Sequence, residues 1–277
     1  MTNTIKILFL GDLVGRPARK LVTEFLGGQV ACSDDIKYDF VIANVENASH
    51  GFGLTAKNYK DLSARVDCMT SGNHIWDKSD IFSYIDTAEK LVRPINYPAG
   101  TPGVGSRVFE KNGVKIGVIN VLGVTFMGLI EQYWQQVEAE IKKIKEITPI
   151  VFIDIHAEAT AEKICFARWA SELGVSVVVG THTHVQTADA QVLNNQTAYI
   201  SDAGFCGVKE SVIGMDYKTS LSRFLTCLPQ KYVIAKGNIV VLNGAVAEID
   251  VNSGRAISMK SFVIEKNYDE EDDNMKG

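Results

Sequence analysis

Ile5-Lys6-Ile7-Leu8-Phe9-Leu10-Gly11-Asp12 (IKILFLGD, residues 5–12) is the stretch that decides the fold class. Its near-continuous apolar run predicts a strand covered on both faces, and it ends on a glycine and a carboxylate. The same pattern recurs further along the chain. Residues 40–43 are followed by Asn44-Val45-Glu46-Asn47, and residues 68–70 by Ser71-Gly72-Asn73-His74. Strands are also expected at 114–121, at 150–155 ending on His156, and at 175–179 stopping at Gly180. Helical patterns intervene. Residues 17–26 form one, with Pro17 tolerated in a first turn; another starts from Thr55 as N-cap and runs to residue 65; a third covers 131–146.

The last third reads differently. Residues 232–235, 239–242, 246–251 and 256–263 are expected strands. Lys236-Gly237-Asn238 and Asn243-Gly244 fit short hairpin loops between them. A βα-rich front and a β-rich back predict an α/β protein with two stacked sheets flanked by helices. One domain is expected over residues 1–266. The DEEDD run at 269–273 marks 267–277 as a solvated, disordered acidic tail.

Composition narrows the class. At 277 residues, 46% hydrophobic and 22% charged, the chain reads as an ordinary globular protein, not a disordered segment, collagen or a coiled coil. A chain of this size buries roughly three quarters of its unfolded surface, so it needs no metal or disulfide merely to fold. No stretch of about 18 apolar residues suggests a membrane span. The net charge of -5 offers no general footprint for duplex nucleic acid, although a local basic pocket for one phosphate is compatible with it. The five cysteines form no CxxC pair, which argues against a disulfide framework or a cysteine zinc site. The first residues lack the pattern of a signal peptide, and the expected location is the cytoplasm.

Chemistry concentrates at the predicted strand ends, which carry Asp12, Glu46-Asn47, Asn73-His74, His156 and His182-Thr183-His184. Ligands of open α/β sheets collect beyond the carboxyl ends of strands, so these segments are expected to share one crevice. Four of the protein's five histidines sit there. Imidazole with carboxylate suits zinc, iron, manganese or nickel. So many donors exceed the needs of one tetrahedral ion, and two ions about 3.5–4 Å apart can clamp an in-line displacement at phosphorus and activate water as the nucleophile. Glu46 is the candidate shared carboxylate. His182 and His184, two apart, would leave an extended segment on one side. Asn73 offers an amide oxygen to a metal, while a protonated His74 could steady the developing oxyanion or protonate the leaving alkoxide.

GDLVG (11–15), ANVENA (43–48), GNHIWD (72–77), DIHAEAT (154–160) and GTHTHVQTAD (180–189), in this order, resemble the calcineurin-like metallophosphoesterases. They are more closely similar to the YmdB-like branch, described as bacterial cyclic-nucleotide phosphodiesterases. RPINYPAGTPG (93–103) and IGM (213–215) resemble that branch too. The resemblance implies a four-layer αββα sandwich. It implies that Asp12, Glu46, Asn47 and His184 hold one metal and that Glu46, Asn73, His156 and His182 hold the other, with His74 as proton donor or transition-state stabiliser. Iron is the implied metal, with manganese or zinc as alternatives. A small-molecule cyclic nucleotide, 2′,3′- and/or 3′,5′-cyclic, is the implied substrate, and a homo-oligomer remains open.

Two departures from the wider superfamily stand out. Its Asp-x-His opening is Asp12-Leu13-Val14 here, which costs the first metal an imidazole, and Glu46-Asn47 replaces a Gly-Asp pair. Both weaken a transfer of substrate class from protein phosphatases. His50 is expected merely to line its loop. Arg16, near a helix start, is equally readable as a phosphate contact or a surface residue. Among rival readings, a dinucleotide-binding turn needs G-x-G-x-x-G, which Gly11 to Arg16 does not supply, and no P-loop occurs. Cys206 has no assignable acid–base partner. The competing functional class is a metal-dependent nucleotide- or RNA-binding regulatory protein with slow, incidental hydrolysis.

Overall fold

The computed structural model describes residues 3–30, 36–128 and 131–268. One sheet holds β1 (Thr4–Leu10), β2 (Asp12–Leu13), β3 (Phe40–Asn44), β4 (Cys68–Thr70), β11 (Phe205–Val208), β12 (Ile239–Asp250) and β13 (Ala256–Asn267). Its order is β2-β11-β12-β1-β3-β4, with β13 also paired to β12. The second sheet runs β5 (Ser106–Lys111), β6 (Val114–Leu122), β7 (Val151–His156), β8 (Val177–Thr181), β10 (Thr197–Ile200) and β9 (Gln191–Leu193). The helices are α1 (Gly15–Leu26), α2 (Ala56–Ser63), α3 (Trp134–Lys145), α4 (Thr160–Glu172) and α5 (Tyr217–Thr226).

Side-chain alternation explains the layers. Ile5, Ile7 and Phe9 of β1 join Phe40 and Ile42 of β3, Phe152 of β7, and Val177 and Val179 of β8 in a core between the two sheets. The intervening Leu8, Leu10, Val41 and Ala43 pack under α1 and α2. Val151, Ile153, Ile155 and Val178 pack under α3 and α4. Each strand is therefore apolar throughout because both its faces are covered, and each such buried side chain contributes about 1.5–3 kcal/mol. The result is the expected helix–sheet–sheet–helix sandwich. Among the described residues, no helix is long and apolar enough to cross a membrane.

The predicted hairpin at Asn243-Gly244 is absent, because β12 runs straight through both residues. Gly244 pairs with Leu10, where any Cβ would meet the Phe9 carbonyl and the Phe262 ring. Asn243 donates its side-chain amide to the Phe205 carbonyl, 2.6 Å away. The glycine thus serves close approach within a sheet, not a turn. Residues 232–235 are not a strand either; Ile234 makes only an isolated bridge to Met215. Strands β5, β9, β10 and β11 were not expected, being short or only half apolar. Strand β13 continues to Asn267, and Tyr268 beyond it is buried against the fold, so the ordered structure reaches the first two residues assigned to the tail from sequence. The DEEDD run and the rest of 269–277 lie outside the described residues, as does Cys32.

Candidate metal centre

Along the strands that meet between the sheets, the inward-facing residue becomes polar at the carboxyl end. Ile42 gives way to Asn44, Cys68 to Thr70, Phe152 to Asp154 and His156, and Val179 to Thr181. Period-two geometry keeps each polar residue on the inner face, so all of them converge at one edge of the sandwich. Asp12 enters on β2, directly after β1. Glu46 and Asn47 follow β3, with the Glu46 amide donating to Asn44 Oδ1 at 3.1 Å. Asn73 and His74 open a 3-10 turn (Asn73–Trp76) beyond β4. It packs closely because position 72 is glycine: a Cβ there would collide with Glu46 Oε2 and the His156 ring.

His182 and His184 lie past the end of β8, and both have positive φ, 99° and 65°. The extended segment expected from their spacing is not what orients them. Two left-handed turns direct them inward, and the Asp202 carboxylate holds this loop. It accepts from Thr183 N at 3.0 Å and Thr183 Oγ1 at 2.7 Å, and it pairs with buried Lys163 at 2.8 Å.

Two groups of donor atoms result, each within 4.8 Å: Glu46, His156 and His182, and Asp12, Glu46 and His184. In the first, His156 Nε2 lies 3.2 Å from Glu46 Oε1, 3.2 Å from Asn73 Oδ1 and 3.0 Å from His182 Nδ1. Donors about 2.1 Å from one first-row ion stand about 3.0–3.4 Å apart, so this spacing fits a shared cation. Behind it, His156 Nδ1 donates to Thr181 Oγ1 at 2.9 Å, and Thr181 Oγ1 donates to Asp154 Oδ1 at 2.7 Å. Asp154 also accepts from Thr70 Oγ1 and from Asn44 Nδ2, the latter at 3.0 Å. One buried carboxylate thereby ties both sheets together beneath the cluster and leaves His156 Nε2 facing it.

In the second group, His184 Nε2 is 3.9 Å from Asp12 Oδ2 and 3.3 Å from Asn47 Nδ2, which also donates to Glu46 Oε1 at 2.9 Å. His184 Nδ1 donates to the Ile213 carbonyl at 2.8 Å, and its ring stacks on Phe205 with centroids 5.7 Å apart. Among the described residues, buried Asp12 Oδ1 and Asn47 Oδ1 find no hydrogen-bond partner. Buried polar oxygens left unpaired are costly, and a cation is the partner that would satisfy both. Turning over the Asn47 amide would bring its oxygen beside Glu46 and His184, which is favourable only with a cation among the three. Val14 faces away, packed with Phe205, Met215 and Val241.

Electrostatics point the same way. Burial pushes the Asp12 carboxyl pKa well up. Burial also opposes the Glu46 charge, but the His156 charge outweighs it and holds that carboxyl well below its usual range. His156 responds in kind: despite burial, Glu46 raises it to about 9. Burial, with His156 beside it, lowers His182 to about 3, and burial lowers His184. Neutral imidazoles beside carboxylates are a metal-ready set, and a cation would displace the proton shared by His156 and Glu46.

His74 stands outside both groups. Its amide donates to Glu46 Oε2 at 3.2 Å and its Nδ1 lies 2.8 Å from Asp77 Oδ2, leaving Nε2 available to a ligand. The donors open onto a cavity of about 370 Å³ bounded by Phe52, His74, Glu158, Ile213, Met215 and Tyr232. The Phe52 ring meets His74 edge-on at 4.8 Å and Tyr232 at 5.3 Å. His50 does not border this cavity. Cys206 is buried on β11, and burial pushes its thiol up to about 12, the signature of an inert thiol. Sequence reasoning missed Asp154, Thr181, Asp202 and the aromatic wall. Asp154 alone carried a legible signal, its two-residue spacing from His156.

Residues 8–262 match the family described as YmdB-like protein. Over 265 residues the chain is 42% identical to the 2′,3′-cyclic-nucleotide 2′-phosphodiesterase of Bacillus subtilis (strain 168), spanning 95% of this chain and 98% of that protein. The crystal structure of a novel phosphatase from Mycoplasma pneumoniae matches at TM-score 0.87 and 33% identity, covering 97% and 96% of the two chains. The calcineurin-like phosphoesterase YfkN of Bacillus subtilis shares the fold at TM-score 0.53 and 10% identity, covering 95% and 90%.

Proposed function

Because the chain belongs to the YmdB-like protein family, we propose that it is a metal-dependent phosphodiesterase that hydrolyses cyclic nucleotides. The relatives support a phosphate-ester hydrolase in general; the cyclic substrate follows the name of the Bacillus subtilis relative. One observation carries the metal dependence: two donor groups share Glu46, and the buried Asp12 and Asn47 oxygens beside it lack partners. Glu46, Asn73, His156 and His182 would hold one ion, and Asp12, Glu46, Asn47 and His184 the other. Iron is our assignment, with manganese or zinc as alternatives compatible with these donors. Such ions supply Lewis-acid activation of water and neutralise charge on the phosphate.

The protein's own groups do the rest. Hydrolysis adds a water oxygen to phosphorus and breaks one P–O ester. In a 2′,3′-cyclic substrate opened at the 2′ ester, as in that relative's name, the 2′ oxygen leaves and needs a proton. His74, oriented by Asp77, supplies it. Phe52, Ile213, Met215 and Tyr232 offer the nucleobase an apolar wall and exclude water from the phosphate.

Metal analysis of the purified protein, with 2′,3′- and 3′,5′-cyclic nucleotides assayed against linear diesters, tests the reading. Two bound equivalents and cyclic-selective turnover that chelation abolishes and metal restores are expected. Nucleotide binding without turnover in the metal-replete protein would sink it in favour of a regulatory role.

A further inference from the structure

A second cavity, of about 480 Å³, lies beside the loop that carries Glu46 and Asn47. Its walls include Arg16, Arg19 and Lys57 against a single acid, Asp61, with the His50 ring beside them. That is a local excess of cationic groups on a chain of net charge -5. The charges are crowded: burial lowers the Arg19 pKa and neighbouring Arg16 lowers it further, with Asp61 only partly opposing them. Arg16 and Lys57 come from the first turns of α1 and α2, so two helix starts bring basic residues to one cavity. A bound anion would relieve this crowding.

The cavity and the metal centre share no lining residue, but the same chain segments line both. The Arg19 guanidinium donates to the Ala48 carbonyl, one residue past Asn47. Along the same loop, His50 lines the basic cavity and Phe52 the catalytic one. Ile234, packed near Gly51, lines the first, and Tyr232 lines the second.

We propose that this cavity binds a second phosphate of the substrate, the internucleotide phosphate of a short ribonucleotide strand whose terminal cyclic phosphate lies at the metal centre. The proposal rests on the phosphodiesterase reading and extends its substrate class from mononucleotides to strand ends. Arg16, Lys57 and His50 are exposed, as a site for an incoming strand requires.

The test uses the full-length, metal-loaded protein and an Arg16→Glu/Lys57→Glu variant, with thermal melting as the check on folding. In wild type, kcat/KM should be higher for a dinucleotide ending in a 2′,3′-cyclic phosphate than for the cyclic mononucleotide. In the variant that preference should fall about tenfold, the effect of losing a charge-assisted contact. An unchanged preference overturns the proposal. A binding arm separates its failure from that of the phosphodiesterase reading. With a labelled dinucleotide 3′-phosphate, the dependence of log Kd on log salt should be shallower in the variant by about 0.7, one single-strand phosphate contact. If wild type cleaves neither substrate, the phosphodiesterase reading fails and this slope alone decides the cavity; an unchanged slope overturns the proposal. Inorganic phosphate that fills the cavity as tightly as the dinucleotide would assign it to a free anion and also overturn it.

Discussion

Glu46 faces two donor groups that are built differently. On the His156 side, neighbouring donor atoms stand 3.0–3.2 Å apart, and the imidazole is braced through Thr181 to a carboxylate that binds both sheets. On the His184 side, the imidazole stands 3.3 Å from the Asn47 amide nitrogen and 3.9 Å from Asp12 Oδ2, its brace is one loop carbonyl and one ring stack, and two buried oxygens have no hydrogen-bond partner. Each half has one ligand on a strand, His156 on β7 and Asp12 on β2, but only on the His156 side is the imidazole braced by strand residues of both sheets. Where a ligand's backing is a strand residue, folding positions it in advance; where it is a loop, the cation has more ordering to do.

Substitutions can break this contrast. Glu46→Ala should have the largest effect, with turnover lost and both metal equivalents released, read by metal analysis; loss of one ion alone would show that the halves are independent. His74→Ala lies outside both halves. It should retain both metals and lose about 10²–10⁴-fold in kcat, and metal loss instead would refute its role as proton donor. Asp154→Asn should strike the braced half, lowering its metal affinity about 10–100-fold while the other ion stays. Competition with a chelator measures this, and simultaneous weakening of both ions would refute the division. Phe205→Leu keeps an apolar side chain but removes the ring stacked on His184, so it should weaken only the His184 half, by about 2–10-fold in the same assay.

The donors themselves were legible because strand ends in an α/β sandwich advertise polar residues after apolar runs. Asp12, Glu46, Asn73 and His156 illustrate this. Their supports were less visible. Asp154 sits inside an apolar strand, and its role depends on Asn44 and Thr70 reaching it from the other sheet. Asp202 is separated from His182 by a strand pair, and positive φ at His182 and His184 has no signature in residues that are not glycine. Asn243-Gly244 shows the opposite failure: a local turn signal was overridden because the sheet needed a flat place beside Phe9 and Phe262.

Alternation along each strand determined, from sequence alone, which side chains enter the central layer, since successive residues of an extended chain must point to opposite faces. That much also placed the polar residues at the strand ends. Which of them touch across the core was decided only by the packing of one sheet on the other, because Asn44 and Thr70 belong to one sheet, Asp154 and Thr181 to the other, and the two pairs meet only across the gap between the sheets.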